Sequence, residues 1–583
     1  MVDLNTDNNR QNAELLLKGM WYSNLPDLLD IEELAEDMDS LFKKINEHNI
    51  KYYIQDTDDF ISEWSNIVSP TYIRKPGVEA LTFYDFKKNK SLREMQVPNL
   101  IHYISFIYNT LHIFPALFEE LYLNEFNREI VENSNSYLVF EETFALYDSY
   151  DETWDWVFSG KFATTNNKMN TSAILSENKK RYLAAEKDYF YSLKMDIESF
   201  FPNIYTHNFE KIAYKSPFCN IAVDLRYFKF LDNFNQRINN NQTKGIPAGI
   251  FSSHIAAELC MLCVDAEIRE YIKNNNISAG YIRYVDDLTF FSDSKSTLSE
   301  LFSVVQVILN KYRLRINGNK TETQKSIFDL QLSYIDEIKL YLTYFDSTEE
   351  SYIITLNDFF DFKRYICECL NQNRISQIRT LLSMLLCKVK EDKININEIY
   401  SELFYFLLKL SFEEEVLTHH IYRLLDQILS INKDEELINA LLRKRNKIDS
   451  EYADTLLQVW FYYLVFNYCN TKQRNDLVSS LSTQIYNPLV VASMISYGKA
   501  SNKLVFKYIM NSYINESKST NWRSEIMYSK WWVPLFKLKR YDSHNYENFM
   551  ASKNFPDIYK EFSEHKKNEL SNESEDVSED QEE

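Results

Sequence analysis

Two kinds of hydrophobic periodicity divide this chain. Between about residues 340 and 545, apolar side chains recur at three- and four-residue spacing, as in RISQIRTLLSMLLCKVK (374–390), EIYSELFYFLLKLSF (398–412), EEVLTHHIYRLLDQILSI (414–431) and ADTLLQVWFYYLVFNYCN (453–470). That period predicts amphipathic helices. Short polar links separate them, and they follow one another every ~20 residues, the rhythm of stacked helix-pair repeats. Residues 1–335 read differently. YSLKM (191–195) and the two halves of YIRYVDDLTFF (281–291) are short, aromatic and β-branched, hence strands. KGIPAGIFSSHIAAELCMLCVDAEI (244–268) is a glycine-rich turn running into a long helix, which Ser252 and Ser253 are placed to cap. The expectation is an α+β region over 1–335, an all-α region over 336–560 and a tail over 561–583. SNESEDVSEDQEE, residues 571–583, has seven acids and no base and predicts disorder.

Composition narrows the choices. Glycine is scarce, so its placement is informative: of eight, Gly245, Gly249, Gly280 and Gly318 fall between 245 and 318. Special turns and close backbone approaches are expected there, and the chemistry with them. The cysteines number seven and form no second CxxC pair, so neither a disulfide framework nor a tetrahedral zinc site is indicated. Cys260 and Cys263, in the apolar run LCMLCV, read as core packing. Sixty-four basic against 85 acidic residues give a net charge of −21, the wrong sign for a long phosphate-binding track, though a local basic channel remains open. The first residues, MVDLNTDNNR, lack an apolar signal region, and no stretch has the length of a membrane span. A soluble, cytoplasmic, bacterial protein with no membrane partner is the expectation.

Carboxylates carry the sharpest signal. The strand Tyr191 to Met195 delivers Asp196 to its end, and ninety residues later Asp286 and Asp287 sit side by side at a hairpin tip. Adjacent like charges repel, and strands disfavour Asp, so stability alone does not account for the pair. Divalent cations would relieve it. In-line nucleotidyl transfer uses two hard cations about 4 Å apart, one on the attacking hydroxyl and one on the leaving pyrophosphate, clamped by carboxylates of neighbouring strands. Gly245, Pro247 and Gly249 form a tight turn that can approach a nucleotide or primer closely. LRINGNKTE (314–322) is a strand, a turn at Gly318 and then Lys320, a group able to protonate or neutralise pyrophosphate.

In this order and spacing, DIESFF, GIPAG-x-x-SS, YVDD and NGNKT resemble the four palm motifs of reverse transcriptases. More narrowly, IYTH after the first motif, GIP-x-G with its helix through Glu258 and Asp265, and RYVDD with INGNKT resemble the bacterial abortive-infection (phage-defence, AbiK/AbiA-like) reverse transcriptases. The helical second half is similar to that group's HEAT-like region. The resemblance implies a fingers–palm domain followed by HEAT-like helices. It makes Asp196 and Asp286 the principal ligands of two Mg²⁺ ions (Mn²⁺ as an alternative), with Asp287 assisting and the Ile197 carbonyl adding a ligand. It matches Phe201 to the steric gate, whose ring leaves no room for a 2′-hydroxyl, and Lys320 to the pyrophosphate-side lysine. FKKNKSLREMQVPNL (86–100) resembles the fingers segment, with Arg93 gripping the triphosphate and Lys90 or Lys88 behind it; KKR (179–181) ranks lower.

One departure matters. Templated reverse transcriptases usually have Gln where Ala248 stands, and its loss removes a hydrogen-bonding group near the nascent base pair. No RNase H cluster of carboxylates follows the palm. The resemblance therefore implies template-independent, protein-primed DNA synthesis from deoxynucleoside triphosphates, with nascent single-stranded DNA attached to a side chain of a homo-oligomer. One alternative is an RNA template bound by the helical half, with RKRNK (443–447) and KLKR (537–540) as the short basic candidates. Another is an idle palm serving as a scaffold for a phage or host protein. Arg540 with His544 is a weak nuclease suggestion, His419-His420 reads as a helical pair, and Trp531-Trp532 reads as a packing anchor.

Overall fold

The computed structural model describes residues 7–29, 34, 37–38, 78–133, 143–148, 153–158, 164–165, 168–169, 182–185, 187–219, 221, 226–325, 334–346, 351–481, 486–498, 529–541, 543–544 and 546–547. The expected acidic tail and the KKR segment lie outside the described residues. Helix α1 (Asp7–Lys18) leads to Gly19, and a hairpin of β1 (Leu81–Phe86) and β2 (Leu92–Val97) pairs Asp85 with Arg93. The long α2 (Leu100–Leu123) follows, started by the Asn99 side chain, which accepts from the Ile101 N–H at 3.1 Å. After α3 (Glu125–Asn133) come two antiparallel hairpins, β3 (Thr143–Asp148) with β4 (Thr153–Phe158) and β5 (Thr164–Thr165) with β6 (Lys168–Met169).

A four-stranded antiparallel sheet then organises the first half. Its strands are β7 (Tyr191–Asp196), β8 (Gly280–Tyr284), β9 (Asp287–Ser292) and β10 (Glu322–Lys325), in spatial order β10-β7-β9-β8. Helices α4 (Phe200–Asn203), α5 (His207–Ile212), α6 (Arg226–Ile238), α7 (Phe251–Asn274) and α8 (Lys295–Lys311) connect and cover it. Helix α7 is apolar on almost every side, and most of its residues from Phe251 to Ile268 are buried, as a helix crossing the centre of a domain must be. Ser252 and Ser253 do not cap it. The helix starts one residue earlier, with Ile250 at the cap position, and both serines are buried in its first turn. The Phe251 N–H instead donates to the Gly19 carbonyl at 2.8 Å. A Cβ at Gly19 would lie 2.2 Å from Phe251 Cβ, so only glycine admits that approach.

Beyond α9 (Tyr334–Tyr341) the described residues are helical apart from short 3₁₀ turns and a parallel two-residue pair, β11 (Tyr352–Ile353) with β12 (Ile394–Asn395), that periodicity did not foretell. The helices are α10 (Leu356–Asn371), α11 (Ile375–Lys390), α12 (Tyr400–Glu413), α13 (Thr418–Ile431), α14 (Glu435–Leu442), α15 (Arg445–Glu451), α16 (Leu456–Tyr468), α17 (Thr471–Leu481), α18 (Pro488–Gly498) and α19 (Trp532–Tyr541). The segment containing α16 is not amphipathic: Leu456 to Phe466 are all buried, because α13, α14, α15 and α18 pack around it. In α19, Lys537, Lys539 and Arg540 are also buried, and Arg540 pairs with Asp37 at 2.6 Å. KLKR is therefore no basic stripe, and Arg540 is a structural cation. In RKRNK, Arg445 and Lys447 pair with Asp449 and Glu451 one turn on. Trp531 and Trp532 are fully buried anchors.

The helical half holds the β1–β2 hairpin, and the chain at Asn24, directly. The Tyr84 N–H donates to the Asp454 carbonyl at 2.9 Å, Asn487 Nδ2 to the Thr82 carbonyl at 2.9 Å, and Trp460 Nε1 to the Asn24 carbonyl at 2.7 Å.

Candidate active site

Antiparallel register brings the three aspartates to one end of the sheet. Asp196, last in β7, is the direct partner of Asp287, first in β9, and Tyr284 pairs with Asp287 on the other side. Val285 and Asp286 make the turn between β8 and β9, with Val285 at φ 54. Ile197 is buried, and its N–H donates to the Asp286 carbonyl at 3.2 Å, tying the two motifs by backbone. Burial pushes the Asp286 carboxyl up to about 6, with the charges of Asp287 and Asp196 adding to the rise. Burial and Asp196 raise Asp287 as well.

The NGNKT turn supplies the counter-charge. Lys320 Nζ donates to Asp196 Oδ1 at 2.8 Å, Asn317 Nδ2 to Oδ2 at 3.3 Å, and the Asn317 N–H to the Asp196 carbonyl at 2.8 Å. The hydrogen bond to Asp196 raises the Lys320 pKa above that of an ordinary lysine. Gly318 opens a 3₁₀ turn, and a Cβ there would meet nothing, so this glycine is not demanded by space. Among the described residues no group of three or more His, Cys, Asp or Glu side chains is set close enough to hold a metal ion as it stands. The donor chemistry nonetheless fits hard dications: carboxylate oxygens crowded at one end of the sheet, whose mutual repulsion a dication would relieve.

The GIPAG loop closes over the end of the first motif and the turn that follows it. The Ile246 N–H donates to the Phe201 carbonyl at 3.1 Å and the Gly245 N–H to the Ile204 carbonyl at 2.8 Å. Gly245 (φ 87) and Gly249 (φ 88) adopt left-handed backbone. A Cβ on Gly249 would lie 2.7 Å from the Tyr22 ring. Pro247 is buried, and the half-buried Ala248 offers its carbonyl to the Tyr22 hydroxyl at 2.6 Å. Phe201 is partly buried at the base of this loop, edge-on to His254 at 5.0 Å.

The segment expected to grip the triphosphate forms the tip and second strand of the β1–β2 hairpin, with Arg93 on β2. Arg93 shares a strand face with Met95, whose Cε lies 3.6 Å from where a Cβ on Gly249 would stand. Lys90 sits at the hairpin tip, where its Nζ donates to the Glu413 carbonyl at 3.2 Å and pairs with Glu415 at 3.9 Å. Lys90 thus contacts the helical half across the hairpin tip. Lys88 is exposed beside it.

Two residues escaped sequence reasoning. Tyr22 joins the β1–β2 hairpin to the GIPAG loop, since its hydroxyl also accepts from the Gln96 N–H at 3.2 Å; nothing in the sequence near it signals that. Arg283, inside YIRYVDD, is fully buried and forms ion pairs with Glu258 at 2.8 Å and Asp265 at 2.7 Å on α7. Its Nη1 also donates to the Val285 carbonyl at 3.1 Å, which fixes the turn that presents Asp286. The seven-residue spacing of Glu258 and Asp265, two acids on one face of an apolar helix, was the available signal.

No curated protein matches the chain. Among solved structures, the chain is similar to apo telomerase from Candida tropicalis (TM-score 0.31, 12% identity, 74% of each chain covered). It is also similar to telomerase from Candida albicans with a TWJ fragment of telomeric RNA (TM-score 0.28, 12% identity, 69% of each chain). Superpositions that loose carry nothing about this chain's chemistry. Residues 157–340 match the family model described as reverse transcriptase (RNA-dependent DNA polymerase). Asp196, Phe201, the GIPAG loop, Asp286, Asp287 and Lys320 all fall inside that span, and the chain therefore carries a reverse-transcriptase domain.

Proposed function

We propose that this protein is a DNA polymerase that adds deoxynucleotides to a hydroxyl primer by two-metal nucleotidyl transfer. The observation that carries the reading is the register that makes Asp196 and Asp287 direct partners, with Asp286 in the adjoining turn and raised by burial and like charge. Asp196 and Asp286, with Asp287 and the Ile197 carbonyl, would hold two Mg²⁺ ions. When bound, such cations activate the attacking hydroxyl and neutralise the pyrophosphate that leaves as the new phosphodiester forms. The chain's own groups do the rest. Phe201 lies beneath the sugar and excludes a 2′-hydroxyl. Arg93 holds the triphosphate, Gly245, Pro247, Ala248 and Gly249 shape the nucleotide pocket, and Lys320 presents a proton on the pyrophosphate side.

The finer reading is template-independent, protein-primed synthesis in anti-phage defence (abortive infection), by a homo-oligomer whose helical half is a HEAT-like scaffold. Ala248 supports it, because a methyl group cannot hydrogen-bond a templated base pair. A second reading, an RNA-templated enzyme, is favoured by the description of the matched family as RNA-dependent. The deciding experiment incubates nuclease-treated protein with Mg²⁺ and each labelled dNTP, without primer or template, beside Asp286→Asn. Label that travels with the protein and is freed as DNA by protease supports the first reading. Product only when RNA is added supports the second. No product from the wild type under either condition overturns both.

A further inference from the structure

A cavity of about 460 Å³ opens beside the aspartates, lined by Glu198, Asn203, Tyr205, Lys244, Arg313 and Arg315. Backbone pairing places it. Ile197 bridges Ile316 antiparallel, the Glu198 N–H donates to the Arg315 carbonyl at 2.8 Å, and the Asn317 N–H to the Asp196 carbonyl at 2.8 Å. Glu198 and Arg315 therefore stand one strand repeat, roughly 7 Å, from Asp196 and Asn317. The cavity lies along the segment 313–317 that leads into the Lys320 turn.

Its charge is opposite to that of the chain. Three cations face one carboxylate in a protein of net charge −21. Among the described residues none of the three closes an ion pair, although Lys215, Lys311 and Lys320 nearby all do. Arg313, at φ 63, lays its guanidinium over the Tyr205 ring at 4.4 Å, which covers the ring and leaves the N–H groups for a ligand. Lys244 precedes the GIPAG turn and reaches the cavity through the bridge between Tyr205 and Lys244. Two arginine forks and an ammonium around a cavity this size suit a small polyphosphate.

We propose that this cavity binds inorganic pyrophosphate, receiving it from the Lys320 side of the reaction centre before release. The assignment rests on the polymerase reading for its source of pyrophosphate, but the binding itself does not need catalysis. The test titrates pyrophosphate into the full-length protein in EDTA, where no divalent cation links the ligand to the aspartates. The wild type is expected to bind one equivalent, and Arg315→Ala and Lys244→Ala to weaken binding at least tenfold, with Arg315→Lys recovering part of it. In the Mg²⁺ incorporation assay, Arg315→Ala is expected to raise the pyrophosphate concentration that half-inhibits by a similar factor. Equal binding by wild type and both alanine variants would overturn the proposal. So would a dNTP that binds in EDTA at the same residues while pyrophosphate does not, since the cavity would then hold substrate. A wild type that binds pyrophosphate here but incorporates nothing would sink the polymerase reading and keep the site; incorporation without binding would do the reverse.

Discussion

Lys320 sets its ammonium 2.8 Å from Asp196 Oδ1, the carboxylate proposed to carry a catalytic cation. Lys320 is largely exposed, so its ion pair is a weak one that a dication can displace. Released, the long side chain is free to turn towards the phosphates. Lys320→Ala should lower kcat by roughly 10²-fold, the scale of a lost general acid, while KM for dNTP changes little. Single-nucleotide incorporation kinetics measure both; a KM effect without a kcat effect would make Lys320 a binding residue only.

Asp286 carries a cost to stability that function explains. Its folded pKa, about 6, lies above the unfolded value of 3.8, so folding favours the protonated form. The stabilising contribution is present below pH 3.8 and lost as pH rises through 6, leaving a penalty on the order of 1–3 kcal/mol at neutral pH without metal. Asp286→Asn should therefore melt about 2–4 °C higher than wild type in EDTA, and lose incorporation altogether. Mg²⁺ should raise the wild-type midpoint and leave the variant's unmoved. A variant that melts lower in EDTA would show that Asp286 supports the fold instead.

Phe201 tests sugar selection. Its ring is anchored by His254 at 5.0 Å and its carbonyl by the Ile246 N–H. Burial lowers the His254 pKa to about 4, so the anchor is neutral at working pH. Phe201→Ala should admit ribonucleotides, raising rNTP over dNTP use by at least tenfold, with the backbone bond to Ile246 retained. Parallel incorporation assays with dATP and ATP decide it, and an unchanged ratio removes Phe201 from the gate.

How much of this the sequence foretells depends on how local each signal is. The ends of β7 and β9 are legible at Asp196 and Asp287 because aromatic and β-branched runs stop there, and Gly245 and Gly249 are legible because their backbone angles suit little else. The four helical segments after residue 373 are legible from their period, although α16 hides its role, since a helix buried all round shows no stripe. Contacts between distant segments are not legible. Nothing near Tyr22 announces its bond to Ala248, and nothing near Lys90 announces Glu413. The basic look of KLKR misleads for the same reason: a buried Arg540 paired with Asp37, 503 residues away, is indistinguishable in sequence from a surface cation.

Arg283 links the β8–β9 hairpin, with Asp286 and Asp287, to the central helix α7. It is fully buried between Glu258 and Asp265, and the Tyr281 hydroxyl donates to Asp265 at 2.6 Å. Removing only the cation strands two buried carboxylates, which costs about 3–5 kcal/mol. Arg283→Met should be destabilised by that amount in urea unfolding and should lose incorporation with the Val285 turn. Adding Glu258→Gln and Asp265→Asn should restore much of the stability but not the activity, because the donor to the Val285 carbonyl stays absent. Recovery of both would mean the turn needs no anchor.

The helical half should respond to mild acid. His419 and His420 lie ring to ring at 3.7 Å in α13, and burial lowers the His419 pKa to about 3 and the His420 pKa to about 4, helped by Arg379 and Arg423. Both are neutral in the fold, whereas in the unfolded chain they take up protons near pH 6.5. Their contribution is thus fully present above pH 6.5 and lost as pH falls towards 4, with a slope of up to about 1.4 kcal/mol per pH unit for each histidine that stays neutral. Urea unfolding at pH 7.5 and pH 5.5 should show wild type losing on the order of 1–2 kcal/mol. Glutamine, neutral at both pH values, should flatten the loss in His419→Gln, and more so in the double variant with His420→Gln. An equal loss in wild type and double variant would place the acid sensitivity elsewhere, and the two rings would then be solvated in solution rather than packed against the arginines.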